Sequence, residues 1–248
     1  MTAPVVFTDL DDTLFQTARK CPDKKADGLR LMSTLVDGSP SGYATKRQEN
    51  LLGWFRAGKV IPVTARSTEV MARVDIEQAP AICSNGGCIT LEGGSVDEEW
   101  HSHLIASAAK EPSIHEIYGE MTRPLEAEQF RHWVVSEHGL PLYIVIKSNI
   151  DDGEVLDELT EVHAEITPFG WRRHKNGNNL AYMPSWLNKR HAVTYLIEKV
   201  RSIAPDAPII GVGDSTSDVG FMDLCDFAMA PTNSQFWNAV RSGNDWTR

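Results

Sequence analysis

Val5-Val6-Phe7-Thr8-Asp9-Leu10-Asp11-Asp12-Thr13 is the stretch whose reading decides the fold. Val5 to Thr8 is a short continuous apolar and β-prone run, the pattern of a strand buried on both faces. The acids begin where that strand ends. In an open α/β sheet, ligands sit beyond the carboxyl ends of the strands, so Asp9 and Asp11 can be aimed at one small volume. Two carboxylates so placed repel each other unless a proton or a cation lies between them. A hard divalent metal with oxygen ligands removes the conflict, and Mg²⁺ does so while keeping room for water and a phosphate oxygen. Asp and Thr after a strand also serve as helix N-caps. On this stretch alone the two readings balance.

Ile210-Gly211-Val212-Gly213-Asp214-Ser215-Thr216-Ser217-Asp218 repeats the pattern near the other end of the chain. An N-cap accounts for Asp218 but not for Asp214 as well, so two acid clusters at strand ends favour a divalent-metal site. Thr64 follows the apolar run Val60-Ile61-Pro62-Val63, where its hydroxyl can donate to a phosphoryl oxygen. Lys189 opens a helix whose apolar positions, Ala192, Val193, Leu196, Ile197 and Val200, keep a 3.6-residue period. A lysine there can neutralise a nucleophile and stabilise charge on a transferring phosphoryl group.

Ala81-Ile82-Cys83, Ile209 to Val212 and Phe227 to Ala230 read as further strands, and Leu51, Leu52 and Phe55 mark another helix. Strands alternating with helices predict a parallel sheet covered on both faces, a Rossmann-like α/β core. Pro62 is at odds with a central strand because it has no N–H for the ladder.

The middle of the chain differs. Ala127, Phe130, Trp133 and Val134 share a helical face, as do Val155, Leu156, Leu159 and Val162. Leu142 to Lys147 reads as a strand, and Asn176-Gly177 reads as a hairpin turn between Trp171–Lys175 and Leu180–Met183. Residues 90–184 are thus expected to form an inserted α+β module, with 1–89 and 185–248 forming the core. Residues 20–46 are expected to form a flap or loop.

Over 248 residues the net charge is −10, with 42% hydrophobic residues. That composition supports a sizeable core and argues against bulk binding to nucleic acid, which needs a basic face. It argues equally against docking on an anionic membrane. Cys21, Cys83, Cys88 and Cys225 have neither CxxC spacing nor the density of a disulfide scaffold. Met1 to Val5 carries no basic region or cleavage site, and no apolar run approaches a membrane span. The expected location is the cytoplasm.

The ordered set Asp9-x-Asp11-x-Thr13, Thr64, Lys189 and Gly213-Asp214-x-x-x-Asp218 resembles the four motifs of the haloacid dehalogenase (HAD) superfamily of phosphotransferases. The resemblance runs from residue 5 to about 240. An insert between Thr64 and Lys189 matches the C2 cap position. Ser84-Asn85-Gly86-Gly87 and Ala230-Pro231-Thr232-Asn233-Ser234 resemble loops of the Cof-like and sucrose-phosphate-phosphatase-like branch. Four departures stand out. Asp12 replaces a usual glycine, Ala65 replaces the glycine of Thr-Gly-Arg, Arg190 follows Lys189, and Ser217 replaces an asparagine.

The resemblance implies a Mg²⁺-dependent phosphatase acting on a small phosphorylated metabolite, a sugar phosphate above all. Asp9 would be the nucleophile and Asp11 the general acid/base, with Thr64 and Lys189 binding phosphoryl oxygens. Mg²⁺ would be held by Asp9, the backbone carbonyl of Asp11, Asp214 and Asp218. Arg66 and Asn85 are substrate-binding candidates in the core. In the insert, the basic run Arg172-Arg173-His174-Lys175 offers Arg172 and Arg173, although a solvated strand face also accounts for it. Alternatives are a sugar phosphomutase of the same superfamily, a receiver-like phospho-acceptor module, and a regulatory protein that keeps the site only for binding.

Overall fold

The computed structural model describes residues 2–21, 28–150 and 153–243. β1 (Val5–Thr8) is wholly buried. After it the chain makes one helical turn, in which the Leu10 carbonyl accepts from the N–H groups of Thr13, Leu14 and Phe15. This turn drives Leu10, Leu14 and Phe15 into the core while the acids between them stay at the strand end. A hairpin follows, β2 (Arg30–Thr34) with β3 (Pro40–Ala44). It accounts for much of the expected flap; residues 22–27 of that stretch lie outside the described residues.

α1 (Lys46–Phe55) starts with a capping box between Thr45 and Gln48 and buries Leu52 and Phe55. β4 (Lys59–Pro62), α2 (Thr68–Met71), β5 (Ala81–Cys83) and β6 (Cys88–Thr90) complete the first part of the core. The insert comprises α3 (Glu98–Ala108), α4 (Ile114–Thr122), β7 (Phe130–Glu137), β8 (Leu140–Ser148), α5 (Val155–Val162), β9 (Arg172–Asn176) and β10 (Asn179–Met183). The chain then returns through α6 (Lys189–Ile203), β11 (Ile209–Val212), α7 (Val219–Met222), β12 (Phe227–Met229) and α8 (Gln235–Ser242). It divides into two compact units, one formed by residues up to Asp97 and from Lys189 onward, the other by Glu98–Asn188.

The core sheet is parallel, in the order β12-β11-β1-β4. β1 is central, so its carboxyl end lies between the loop after β4 and the loop after β11. The chain leaves β1 toward one side and later returns on the other. This is the topological switch point at which open α/β sheets place their ligands. Pro62 fits for a simple reason. Val63 N–H donates to Thr8 O while Thr64 N–H donates to Ile82 O, so successive residues face opposite neighbours. The Pro62 nitrogen falls on the β5 side, where a single bridge, Val63 with Ile82, joins the strands.

The insert is an antiparallel sheet in the order β7-β8-β10-β9. The helix expected over Ala127, Phe130, Trp133 and Val134 is instead strand β7, paired along its length with β8. Apolar residues at 130, 133 and 134 satisfy both a helical stripe and a strand, and the β-branched pair Val134-Val135 beside β8 decides for the strand. One face carries Phe130, Ile144, Ile146, Leu180 and Tyr182, packed with Ile114 and Met121 around α4 and Leu156 of α5. The hairpin expected at Asn176-Gly177 is present one residue later. Asn176 pairs with Asn179, and Gly177, at φ +56°, and Asn178 form the turn.

Candidate active site

Asp9 stands at the end of β1, buried, its N–H bonded to Val212 O across the sheet at 2.8 Å. Its Oδ1 accepts from Lys189 Nζ at 2.7 Å, and Thr13 Oγ1 lies 3.4 Å from Oδ2. Lys189 is the first residue of α6 and spends a second N–H on Asp218 Oδ1 at 2.8 Å. Lys189 and Asp9 each expose only 9% of their side chains, and Asp218 1%. Asp218 occupies the N-cap position of α7 but makes no capping bond. Its other oxygen accepts from the Ser215 N–H at 3.1 Å and Ser215 Oγ at 2.7 Å. Gly213 makes that turn possible, because a Cβ there would come within 2.5 Å of Asp218 Cβ. Asp214 is tied to the same centre through Thr13 Oγ1, 3.4 Å from its Oδ1.

Asp9, Asp214 and Asp218 each offer a carboxylate oxygen, all within 4.8 Å of one another. The electrostatics show what this costs. Burial pushes the Asp9 carboxyl up to about 7 against the attraction of Lys189, with Asp218 adding repulsion. Burial likewise raises Asp214 to about 6, helped by Asp218 and Asp12. Burial works against the Lys189 ammonium, but Asp9 and Asp218 outweigh it and hold its pKa above the ordinary lysine value. One buried cation therefore serves three carboxylates. The donor set is all oxygen and short of positive charge, which fits a hard divalent cation such as Mg²⁺.

Asp11 is placed differently. Its side chain is 53% exposed and paired at both oxygens with Arg66, Nε to Oδ2 at 2.8 Å and Nη2 to Oδ1 at 2.7 Å. Its carboxylate therefore stands apart from the three-acid group. Thr64 is buried beside it in sequence space, at the end of β4, and its Oγ1 accepts from the Arg66 N–H at 3.1 Å. Asn85 N–H donates to Thr64 O and Ser84 N–H to Arg66 O, so the Ser84-Asn85 turn is stitched to the Thr64 loop. Both residues of that turn have left-handed backbones, φ +49° and +58°. Such conformations cost about 1–3 kcal/mol each and gather at functional sites.

In the insert, Arg173 Nη1 donates to Thr160 O at 2.8 Å, whereas Arg172 donates to the Leu187 carbonyl. Two residues of the core site carried no assigned role in the sequence reading. Thr13 bridges Asp9 and Asp214, and Ser215 orients Asp218. The second was legible in principle, since Ser215-Thr216-Ser217-Asp218 has the S-x-x-D spacing in which an acid reaches back to the serine N–H.

No family model and no curated protein matches the chain. Solved structures do. The sucrose-phosphatase from Synechocystis sp. PCC6803, in complex with sucrose and phosphate, aligns over 100% of this chain and 90% of its own, with a TM-score of 0.58 and 19% identity. A Thermoplasma acidophilum protein aligns over 99% and 91%, with a TM-score of 0.56 at 13% identity. This chain has the haloacid dehalogenase fold with a C2-type cap. A trehalose-6-phosphate phosphatase related protein aligns over 91% of this chain and 84% of its own, at TM-score 0.50 and 19% identity.

Against that HAD framework, the departure at Asp12 has a visible consequence. Asp12 takes φ +59°, a left-handed conformation that glycine adopts freely and that Asp tolerates better than most residues. Its carboxylate is paired with Lys20, which holds the strained turn from outside. Among the described residues, no helix is long and apolar enough to cross a membrane.

Proposed function

We propose that this chain is a cytoplasmic Mg²⁺-dependent phosphoric monoester hydrolase that acts on a small phosphorylated metabolite, a sugar phosphate, through an aspartyl-phosphate. The observation that carries the reading is the Lys189 bridge between buried Asp9 and Asp218, with Asp214 completing a three-carboxylate group at the switch point. A structural ion pair needs only one acid, and the surplus is what a cation and a phosphate dianion would use.

Asp9 attacks phosphorus and expels the alcohol, dividing one hard displacement into two easier ones. Lys189 fixes Oδ1 and leaves Oδ2 with Thr13 alone at 3.4 Å, so the carboxylate is oriented but not fully engaged. Lysine has three N–H donors; two are spent on Asp9 and Asp218, which leaves the third for a phosphoryl oxygen. The Thr64 oxygen accepts from Arg66 N–H, so its own proton is free for the phosphoryl group. Asp11 protonates the leaving oxygen and then takes a proton from the water that hydrolyses the intermediate. To do so it must exchange Arg66 for the leaving group. That exchange is cheap, because an ion pair this exposed contributes about 0–1 kcal/mol. Mg²⁺, held by Asp9, Asp214, Asp218 and the backbone carbonyl of Asp11, supplies the charge that lets a dianion approach Asp9.

The insert, residues 90–184 in outline, serves as the substrate-selecting cap. Arg66 and Asn85 from the core, with Arg172 and Arg173 from the cap, are the substrate-binding candidates. The sugar-phosphate class draws support from the fold likeness to the sucrose-phosphatase and to the trehalose-6-phosphate phosphatase related protein.

The test is phosphate release from a panel of sugar phosphates, nucleotides and phosphoglycerates, with Mg²⁺ and with EDTA. Release is expected only with the metal, and only without a mutase's bisphosphate activator being required. Asp9→Asn is expected to abolish it while leaving the circular dichroism spectrum unchanged. Retained turnover in that variant overturns the assignment of the nucleophile.

A further inference from the structure

Arg172 and Arg173 are adjacent in sequence but face opposite sides of the cap sheet. Arg173 lies in register with Tyr182 on the side packed by α4 and α5, and its guanidinium is tied to the Thr160 carbonyl of α5. Lys175, on the same side, pairs with Asp157 of α5 at 2.6 Å. Both charges are thus spent within the cap. Arg172 lies in register with Met183 on the other side, where Ala181 pairs with His174. Every second residue of that face, from Arg131 to Val135, Tyr143 to Lys147, Asn179 to Met183 and Arg172 to Asn176, is non-acidic. Glu137, farther along β7, is buried at the strand's end. In a protein of net charge −10, a sheet face with Arg131, Lys147 and Arg172 and no acid in its ladders is unusual.

Arg172 is also unfinished. It is partly buried, it donates to the Leu187 carbonyl, and its Nε is buried without an acceptor. Among the described residues no carboxylate pairs with it. Burial alone lowers its pKa, with no acid to oppose the shift. A buried guanidinium without a counter-charge is costly, and its planar fork matches a carboxylate or phosphate at two points.

We propose that Arg172 is the anchor of an anion-binding site on the cap, and that the preferred substrate is a phosphate ester whose leaving group carries a second anionic group of its own. The second clause rests on the phosphatase reading; the first does not. The ligand's anion supplies the counter-charge that the cap sheet lacks. Arg173, already bonded to its own helix, contributes little to recognition.

The experiment uses one neutral parent and two congeners that differ from it at a single carbon. These are glucose 1-phosphate, glucuronic acid 1-phosphate and glucose 1,6-bisphosphate, with glycerol 3-phosphate and 3-phosphoglycerate as a smaller pair. For the full-length enzyme with Mg²⁺, kcat/KM for at least one anionic congener is expected to exceed that of its neutral parent by about tenfold or more. The congener preferred tells carboxylate from phosphate. Arg172→Gln is expected to collapse that ratio by about 10- to 100-fold, the worth of a charged hydrogen-bond pair. Arg172→Lys is expected to keep part of it, and Arg173→Gln to leave it within about threefold.

A purely structural Arg172 would lower the melting temperature and change neutral and anionic rates alike, which overturns the proposal. Neutral parents favoured in every set overturn it too. If no compound is hydrolysed, the phosphatase reading fails. The anion site is then read by calorimetric titration of glucuronic acid 1-phosphate and glucose 1,6-bisphosphate into Asp9→Asn. Binding lost on adding Arg172→Gln upholds the site; binding absent, or indifferent to Arg172, overturns it.

Discussion

Replacing Lys189 with methionine keeps the length of the side chain and removes the one buried cation of the catalytic centre. In the wild type that ammonium makes charged bonds of 2.7 Å to Asp9 and 2.8 Å to Asp218, both buried. Breaking a buried charge pair by removing one partner costs about 3–5 kcal/mol, since the other charge is left without compensation. Here two carboxylates are left. For a chain of this size each kcal/mol lowers the melting temperature by about 2–4 °C, so a loss of roughly 6–20 °C is expected at pH 8 in EDTA. The sign of the pH effect follows from Asp9. Its pKa in the folded protein, about 7, already lies above the ordinary 3.8, so the ionised carboxylate destabilises the fold. Without Lys189 that pKa rises further, and protonation at pH 5 removes one of the stranded charges. The deficit between variant and wild type should therefore shrink at pH 5, and shrink again at pH 8 when Mg²⁺ is added. Thermal unfolding followed by circular dichroism reads all three conditions. A variant within about 1 kcal/mol of wild type at pH 8 without metal, or a deficit indifferent to both pH and Mg²⁺, would refute the reasoning. Turnover should fall by at least about 10²–10³-fold, the usual effect of losing one donor to a developing oxyanion.

Mg²⁺ binding should weaken steeply as pH falls, because Asp9 and Asp214 titrate near 7 and 6 and must lose their protons to bind it. Calorimetric titration from pH 8 to 5 should show about a tenfold loss per pH unit for each proton displaced; a flat profile would remove these two acids from the ligand set. Gly213→Ala would set a methyl 2.5 Å from Asp218 Cβ and should cost about 1–3 kcal/mol in the melt, with Mg²⁺ affinity falling alongside. In the cap, His163 is wholly buried between Tyr182 Oη at 2.8 Å and Met121 O at 3.1 Å, and burial depresses its pKa below the ordinary 6.5. The folded cap favours neutral His163, so the unfolded chain binds the extra proton. Stability is complete above pH 6.5 and is lost as pH falls below it; His163→Gln should flatten that part of the melting profile between pH 7.5 and 5.

Much of the core was legible because its chemistry is local. Val5–Thr8, Ile209–Val212 and the acids that follow each strand are contiguous, and a buried strand end permits few readings of two acids spaced by one residue. The Lys189 helix was visible from its period. The cap was harder. β7 was read as a helix because Phe130, Trp133 and Val134 suit both periods, and only the ladder to β8 separates them. α3 and α4 passed unread, since each buries only two side chains, too thin a stripe to mark a helix.

The sequence by itself determined that two strand-end acid clusters, a threonine and a helix-opening lysine lie in one α/β core, and that a module interrupts it between Thr64 and Lys189. Covalent order and hydrophobic period carry that much. Which acids share the centre was decided only by the tertiary structure. Asp9 and Asp218 meet on Lys189 across gaps of 180 and 29 residues, while Asp11, two residues from Asp9, turns away to Arg66. The neighbours Arg172 and Arg173 likewise part company because a strand sends alternate side chains to opposite faces. Spacing along the chain says which groups can meet; only the packed backbone settles which charges are neutralised and which still want a partner.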